Sequence, residues 1–240
     1  MDIRLDVPYF LQWDSATWQG GRMCFSSTCA MLLEFLIPEA LGGKGQEDDE
    51  YLAKVNTRGD TTIGHIQEAT LKSFGLTSAK FRTDLQWSDV DSQLEKGIPV
   101  PIGWLIRGHV SKPSGGGHWS LIVGREGDNY IVHDPNGECD LINGGYSNYS
   151  GGKFARYSKK NLDKRWRVNG LPGWGIIVDH KQPEVQKSKA PEEGVLKVTP
   201  IKAIINGEEK KAWLFGNDAV VLARDVGGTW DGTIRGVRID

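Results

Sequence analysis

Cysteine is scarce in this chain. There are three in 240 residues, an odd number, with no Cys-x-x-Cys pair and no Cys/His cluster at zinc spacing. That excludes a disulfide framework and gives no ligand set for a metal, so Cys24, Cys29 and Cys139 are read as free thiols of a reduced, intracellular environment. Charge of one sign is lacking too. Lys+Arg 29 against Asp+Glu 31 gives a formal net charge of -2, and there is no basic run. A nucleic-acid or anionic-membrane partner would need such a run, so neither is expected. Long apolar runs are absent as well. No stretch reaches 18 apolar residues, and the opening MDIRLDVPYF interleaves acids with its apolar residues, leaving no signal-peptide core. The expectation is synthesis in the cytoplasm without an export signal.

What is present is enough chain for one large domain and a small appendage, with a core that needs no outside support. From Cys24, residues Phe25, Cys29, Leu32, Leu33 and Leu36 recur at helical spacing until Pro38 and Gly42-Gly43, which predicts a buried helix over 24–36. Further helices are expected near 48–56 and 63–74, and a fourth over 88–96 opened by a capping pair of Ser88 and Asp91. Helices thus fill the first hundred residues. After them come short apolar runs separated by turns, at 98–105, 118–123, 130–133 and 174–178. Helices first and strands afterwards predict an α+β domain, a helical lobe packed on an antiparallel sheet. The stretch 181–194, with two prolines and many charges, reads as a linker. Residues 195–240 alternate apolar and polar side chains around Asn206-Gly207, which predicts a small β-rich module. The domain limits are therefore 1–180, 181–194 and 195–240.

The chemistry rests on Cys24 in CFSSTCAMLLEFL, His118 in GGGHWSLIV and Asp134 in IVHDPNGE. A thiol acts as a nucleophile in its thiolate form, which a helix N-terminus and a neighbouring imidazolium both favour. Cys24 opens its helix just after a Gly-containing loop, whereas Cys29 lies about 140° further round among apolar residues and reads as core. His118 ends a glycine run and opens an apolar strand, which would hold its ring on a rigid edge. His133 is the rival base, but it adjoins Asp134, and successive strand side chains face opposite ways. Asp134 is expected to orient the imidazole, with Asn136 as the alternative, although Asp-Pro-Asn-Gly is also a turn sequence in its own right. Gln12 or Gln19 could donate to an oxyanion, Gln12 being favoured because it closes the extended VPYFLQ segment. The glycine-rich stretch 107–117 before His118 reads as a mobile lid.

In that order, VPYFLQ, Cys-x-Ser-Ser-x-Cys-Ala-Met, GIPVPIGW, GGGHWSLIVG and VHDPNG resemble the papain-like peptidases of the double-glycine leader peptidase superfamily, in particular its phage and bacterial C39-like branch. The resemblance covers about 5–178. It implies a papain-like fold with Cys24 as nucleophile, His118 as base, Asp134 as orienter and Gln12 in the oxyanion hole. Trp104 and Trp119 are the expected substrate-binding aromatics. Phe25-Ser26 stands where the family commonly has Gly-Pro. The tail is similar to stalk-like modules related to the amine-oxidase N-terminal domain, which are appended to cell-wall enzymes. The expectation is a cysteine peptidase or amidase without cofactor or metal, acting on a peptide or a peptidoglycan stem peptide as a lysin and reaching the wall after release. The alternatives are a silent C39-like binding protein and a thiol-dependent acyl transferase, which would share the same acyl-enzyme.

Overall fold

The computed structural model describes residues 2–43 and 45–180, together with the backbone of three tail strands. The chain divides into two units, Met1–Pro183 and Glu184–Asp240. In the first, strand β1 (Ile3–Arg4) and two 3-10 turns (Gln12–Asp14 and Gly20–Arg22) lead into helix α1 (Cys24–Leu36). Helices α2 (Glu47–Asn56) and α3 (Gly64–Ser73) follow, then β2 (Lys80–Leu85) and α4 (Trp87–Glu95). Next come β3 (Val100–Arg107), β4 (Ser114–Glu126), β5 (Asn129–His133) and the short β6 (Glu138–Cys139) and β7 (Tyr146–Asn148). The unit ends with β8 (Ala155–Ser158), α5 (Lys159–Trp166) and β9 (Gly173–Ile177). The main sheet is antiparallel in the order β2-β9-β3-β4-β5-β8, with β1 added at β4. This is an α+β fold.

Alternation along the strands sends successive side chains into two separate cores. Trp119, Leu121 and Val123 of β4 face α1, where Phe25, Cys29, Leu32, Leu33 and Leu36 fill one core. Ile122, with Trp104 of β3 and Tyr130 and Val132 of β5, fills the other, which is closed by Trp87, Val90 and Leu94 of α4 and by Leu162 and Trp166 of α5. The sheet is therefore covered on both faces.

Three local expectations are corrected. The first hundred residues contain two strands, β1 and β2, and the KFRTDL of β2 is half exposed and carries charges, as suits a sheet edge. The cap of α4 is made by Gln86 and Asp89, the Gln86 backbone N–H donating to the Asp89 carboxylate at 2.8 Å. Asp91 instead faces the sheet, accepting from the Tyr130 hydroxyl at 2.9 Å and pairing with Arg125 at 3.1 Å. The glycine-rich stretch expected as a lid is half strand, because Ser114 to Gly117 already belong to β4 and pair with β3. Its hairpin is pinned from outside. The buried Arg165 guanidinium donates to the carbonyls of Leu105 (2.9 Å), Arg107 (3.3 Å), Gly108 (2.8 Å) and Leu141 (2.8 Å).

In the tail, β10 (Val198–Ile205), β11 (Glu208–Phe215) and β12 (Ala219–Leu222) form an antiparallel sheet in that order. The expected linker at 181–194 and the turn Asn206-Gly207 lie outside the described residues.

Candidate active site

Cys24 is the first residue of α1. Its N-cap, Met23, has no side-chain oxygen with which to cap the helix, so the first-turn N–H groups and their partial positive charge face outward beside the sulfur. Directly behind it the helix is held by a buried polar knot. The Gln67 amide donates to the Ser26 hydroxyl (3.0 Å) and to the Thr61 carbonyl (2.7 Å), and Ser26 and Thr61 share a hydrogen bond of 2.7 Å. Ser27 donates to the buried Asp48 at 2.6 Å, and burial pushes that carboxyl up to about 6. Phe25 stacks flat on Trp119, ring centroids 3.4 Å apart. The Phe25-Ser26 pair thus ties α1 to the sheet through its ring and to α3 through its hydroxyl.

His118 comes from β4 and is 3 % exposed. Its Nε2 lies 2.7 Å from Asp134 Oδ1, which leaves Nδ1 for the Cys24 sulfur, and Cys24 supplies both charge and a hydrogen bond to the ring. Burial alone would disfavour the imidazolium. The Asp134 carboxylate on one side and the Cys24 sulfur on the other outweigh it and push the His118 pKa up to about 10. That shift favours the protonated ring.

Asp134 is fully buried in the turn after β5. Its carboxylate also accepts from the Asn136 backbone N–H (3.0 Å) and from the hydroxyls of Tyr157 (2.9 Å) and Tyr146 (3.2 Å). Close backbone approach makes the turn possible. A Cβ at Gly152 would lie 1.9 Å from the Asp134 carbonyl, and Gly137 takes φ 116°, with Asn148 O only 2.1 Å from where its Cβ would be. Neither tyrosine was singled out by sequence reasoning. The alternation in ARYS of β8, with Ala155 and Tyr157 inward, was the one sequence signal that could have marked Tyr157 as facing the interior.

Gln12 is buried beside the cleft, its backbone N–H on the Pro135 carbonyl (2.9 Å) and its Nε2 on the Gly20 carbonyl (2.8 Å). Only an NH₂ can face that acceptor, so the amide orientation is fixed by Gly20, and one hydrogen of the two is used there. Gln19 is buried too but does not line the cleft. The cleft itself, about 540 Å³, is bordered by Gln12, Cys24, His118 and Asn136 together with the aromatic rings of Phe25, Phe81, Trp119 and Trp174.

The structure brings Cys24, His118, Asp134 and Gln12 together, and Trp119 borders the cleft. Trp104 does not. It is fully buried, donates from Nε1 to the Ser120 hydroxyl at 2.9 Å and meets the His118 ring edge to face at 5.4 Å. The reason is register. Trp104 pairs with His118 across β3 and β4, so it shares the inner face and supports the imidazole from below, out of reach of any substrate. His133 turns the other way, as alternation requires, and packs between Tyr9 and Phe154, where burial pushes its pKa down to about 4. Cys29 and Cys139 are buried thiols, both raised by burial, Cys139 to about 12. Among the described residues no group of His, Cys, Asp and Glu is arranged to hold a metal ion.

Residues 4–170 match the Peptidase_C39 like family. The chain belongs to that family. Membership points to cysteine peptidase-type chemistry for this C39-like domain. A C39-like peptidase from Bacillus anthracis, known from a crystal structure, is similar in fold at a TM-score of 0.50 and 12% identity, covering 75% of this chain and 100% of that one. No curated protein matches. Among the described residues of this C39-like chain, no helix is long and apolar enough to cross a membrane.

Proposed function

We propose that the chain is a cysteine peptidase that cleaves a peptide or amide bond through Cys24, His118 and Asp134. The observation that carries this reading is the buried line from the Asp134 carboxylate through the His118 ring to the sulfur at the start of α1, opening into a cleft. The Cys24 thiolate attacks the carbonyl carbon. The oxyanion that forms meets the N–H groups at the head of α1 and the Gln12 amide. The His118 imidazolium then gives its proton to the departing amine nitrogen, and the C–N bond breaks to leave a thioester. Neutral His118 next takes a proton from water, the hydroxide attacks the thioester, and the thiolate is released. Asp134 keeps the ring in one plane throughout and offsets its charge.

The substrate we propose is a peptidoglycan stem peptide, cleaved by a lysin of phage or bacterial type in which the tail sheet of β10, β11 and β12 serves as a wall-directed module. Support for this substrate comes from the resemblance of the tail sequence to modules appended to cell-wall enzymes. The test is incubation with purified peptidoglycan and mass spectrometry of the soluble fragments. New amine and carboxyl termini at one stem-peptide position are expected, and none with Cys24→Ala. Binding without released fragments would leave the non-catalytic reading standing.

A further inference from the structure

A row of rings runs outward from the imidazole. His118 meets Tyr146 edge to face at 5.6 Å, Tyr146 stacks on Tyr149 at 5.9 Å and Tyr149 meets Trp13 at 5.9 Å. The inner two are engaged by the site, whereas the outer two lie open to water, Tyr149 at 57% exposure and Trp13 at 48%. Their positions are set by the fold. Trp13 follows Gln12 in a 3-10 turn and lies with its ring 3.6 Å from where a Cβ of Gly21 would be, and Gly21 borders the cleft. The backbone of Tyr149 is pressed on Gly137, in the turn that carries Asp134. Two large exposed rings are thus seated on the elements that border the cleft, Trp13 against Gly21 and Tyr149 against Gly137, and core packing does not account for their exposure.

The side of the cleft on which they sit decides what they would bind. His118 gives its proton to the departing amine, so the leaving part of the substrate lies over His118 and continues along the rings that extend from it. We infer that Trp13 and Tyr149 form a subsite for the residue on the amine side of the scissile bond, and that it selects a bulky apolar or aromatic side chain. This rests on the reading of Cys24 as nucleophile and His118 as proton donor. Both rings offer apolar faces and edges and no acidic group, which suits an apolar or aromatic side chain.

The subsite can be read without knowing the natural substrate, because an amine that attacks the acyl-enzyme occupies the place of the leaving group. p-Nitrophenyl acetate would acetylate Cys24 with a burst of p-nitrophenolate. Added amino-acid amides would then compete with water for the thioester. The amine nitrogen bonds to the acetyl carbon, the C–S bond breaks, the amine proton passes to His118 and the thiolate is regenerated. Phenylalaninamide and leucinamide are expected to capture the acetyl group roughly tenfold or more better than glycinamide, and Trp13→Ala is expected to bring the ratio to near one.

A burst that is absent, or unchanged in Cys24→Ala, would overturn the nucleophile and this inference with it. A normal burst with equal capture of all three amides by the unaltered protein would overturn the subsite alone, whatever the variant does. Inhibition by soluble N-acetylglucosamine oligomers that Trp13→Ala relieves, with no choice among amides, would assign the rings to a sugar and likewise overturn the peptide subsite.

Discussion

Asp134 accepts hydrogen bonds from three side chains and one backbone amide, so its carboxylate cannot swing away from His118 without breaking several of them at once. Changing it to asparagine keeps an acceptor for His118 and Asn136, and the two tyrosine hydroxyls can turn to accept from the new NH₂. Asp134→Asn should therefore stay folded and lose roughly 10²-fold or more in kcat/KM through the lost charge, while Cys24→Ala abolishes the covalent step. Unfolding of Asp134→Asn in circular dichroism would show that the residue serves the turn before it serves the imidazole.

His133, one residue away, offers a separate test. Its pKa falls from 6.5 unfolded to about 4 folded, so the unfolded chain binds more protons between those values, and this residue's contribution to stability falls as pH drops through that window. The size is about 3 kcal/mol. Asp48 works in the opposite sense near the same pH, since its raised carboxyl favours the folded state when protonated. The effect is thus read as a difference. Urea melts of the unaltered protein and of His133→Leu should diverge in pH dependence only below about pH 6.5. Parallel curves would contradict the buried neutral imidazole. The raised pKa of His118 acts elsewhere, supplying stability below pH 6.5 that is lost as pH rises through about 10.

At the scale of elements, α1 was legible because its apolar residues repeat at helical spacing and its start coincides with the loop that ends at Met23. The strands of the sheet interior were legible for a similar reason, as unbroken apolar runs between turns. Other elements were not, β2 and α5 among them. β2 is an edge strand whose charged side chains hide the alternation, and α5 buries Leu162, Arg165 and Trp166 in a segment dominated by charge. The hairpin before His118 was misread for a different cause. Glycine content signals freedom locally, but the restraint comes from Arg165, more than fifty residues further along the chain. Nothing near the hairpin in sequence reports it. Likewise Tyr146 and Tyr157 reach Asp134 only through the folding of β7 and β8 around the turn. Arg165→Met would strip four carbonyls of their donor and should lower stability by about 3 kcal/mol or more. Amide hydrogen exchange should quicken at Gly108 to Ser114 in particular. Unchanged exchange there would mean that β3 and β4 hold the hairpin without the guanidinium.

At the scale of the whole molecule, the two units Met1–Pro183 and Glu184–Asp240 invite a division of labour, and we propose that chemistry resides in the first and targeting in the second. A chain ending at Pro183 should remain folded and cleave a small soluble peptide at the full-length rate, while losing activity on intact cell wall. Equal wall activity of the two forms would remove the targeting role. The central claim, the proposal that Cys24 is the nucleophile activated by His118, is tested most directly by the rate of iodoacetamide alkylation at each cysteine near neutral pH, read by peptide mass spectrometry. Cys24 should react well ahead of the buried Cys29 and Cys139, and His118→Ala should slow it. Labelling of Cys24 in the folded protein that is no faster than that of the other two, or that is indifferent to His118, would contradict the account.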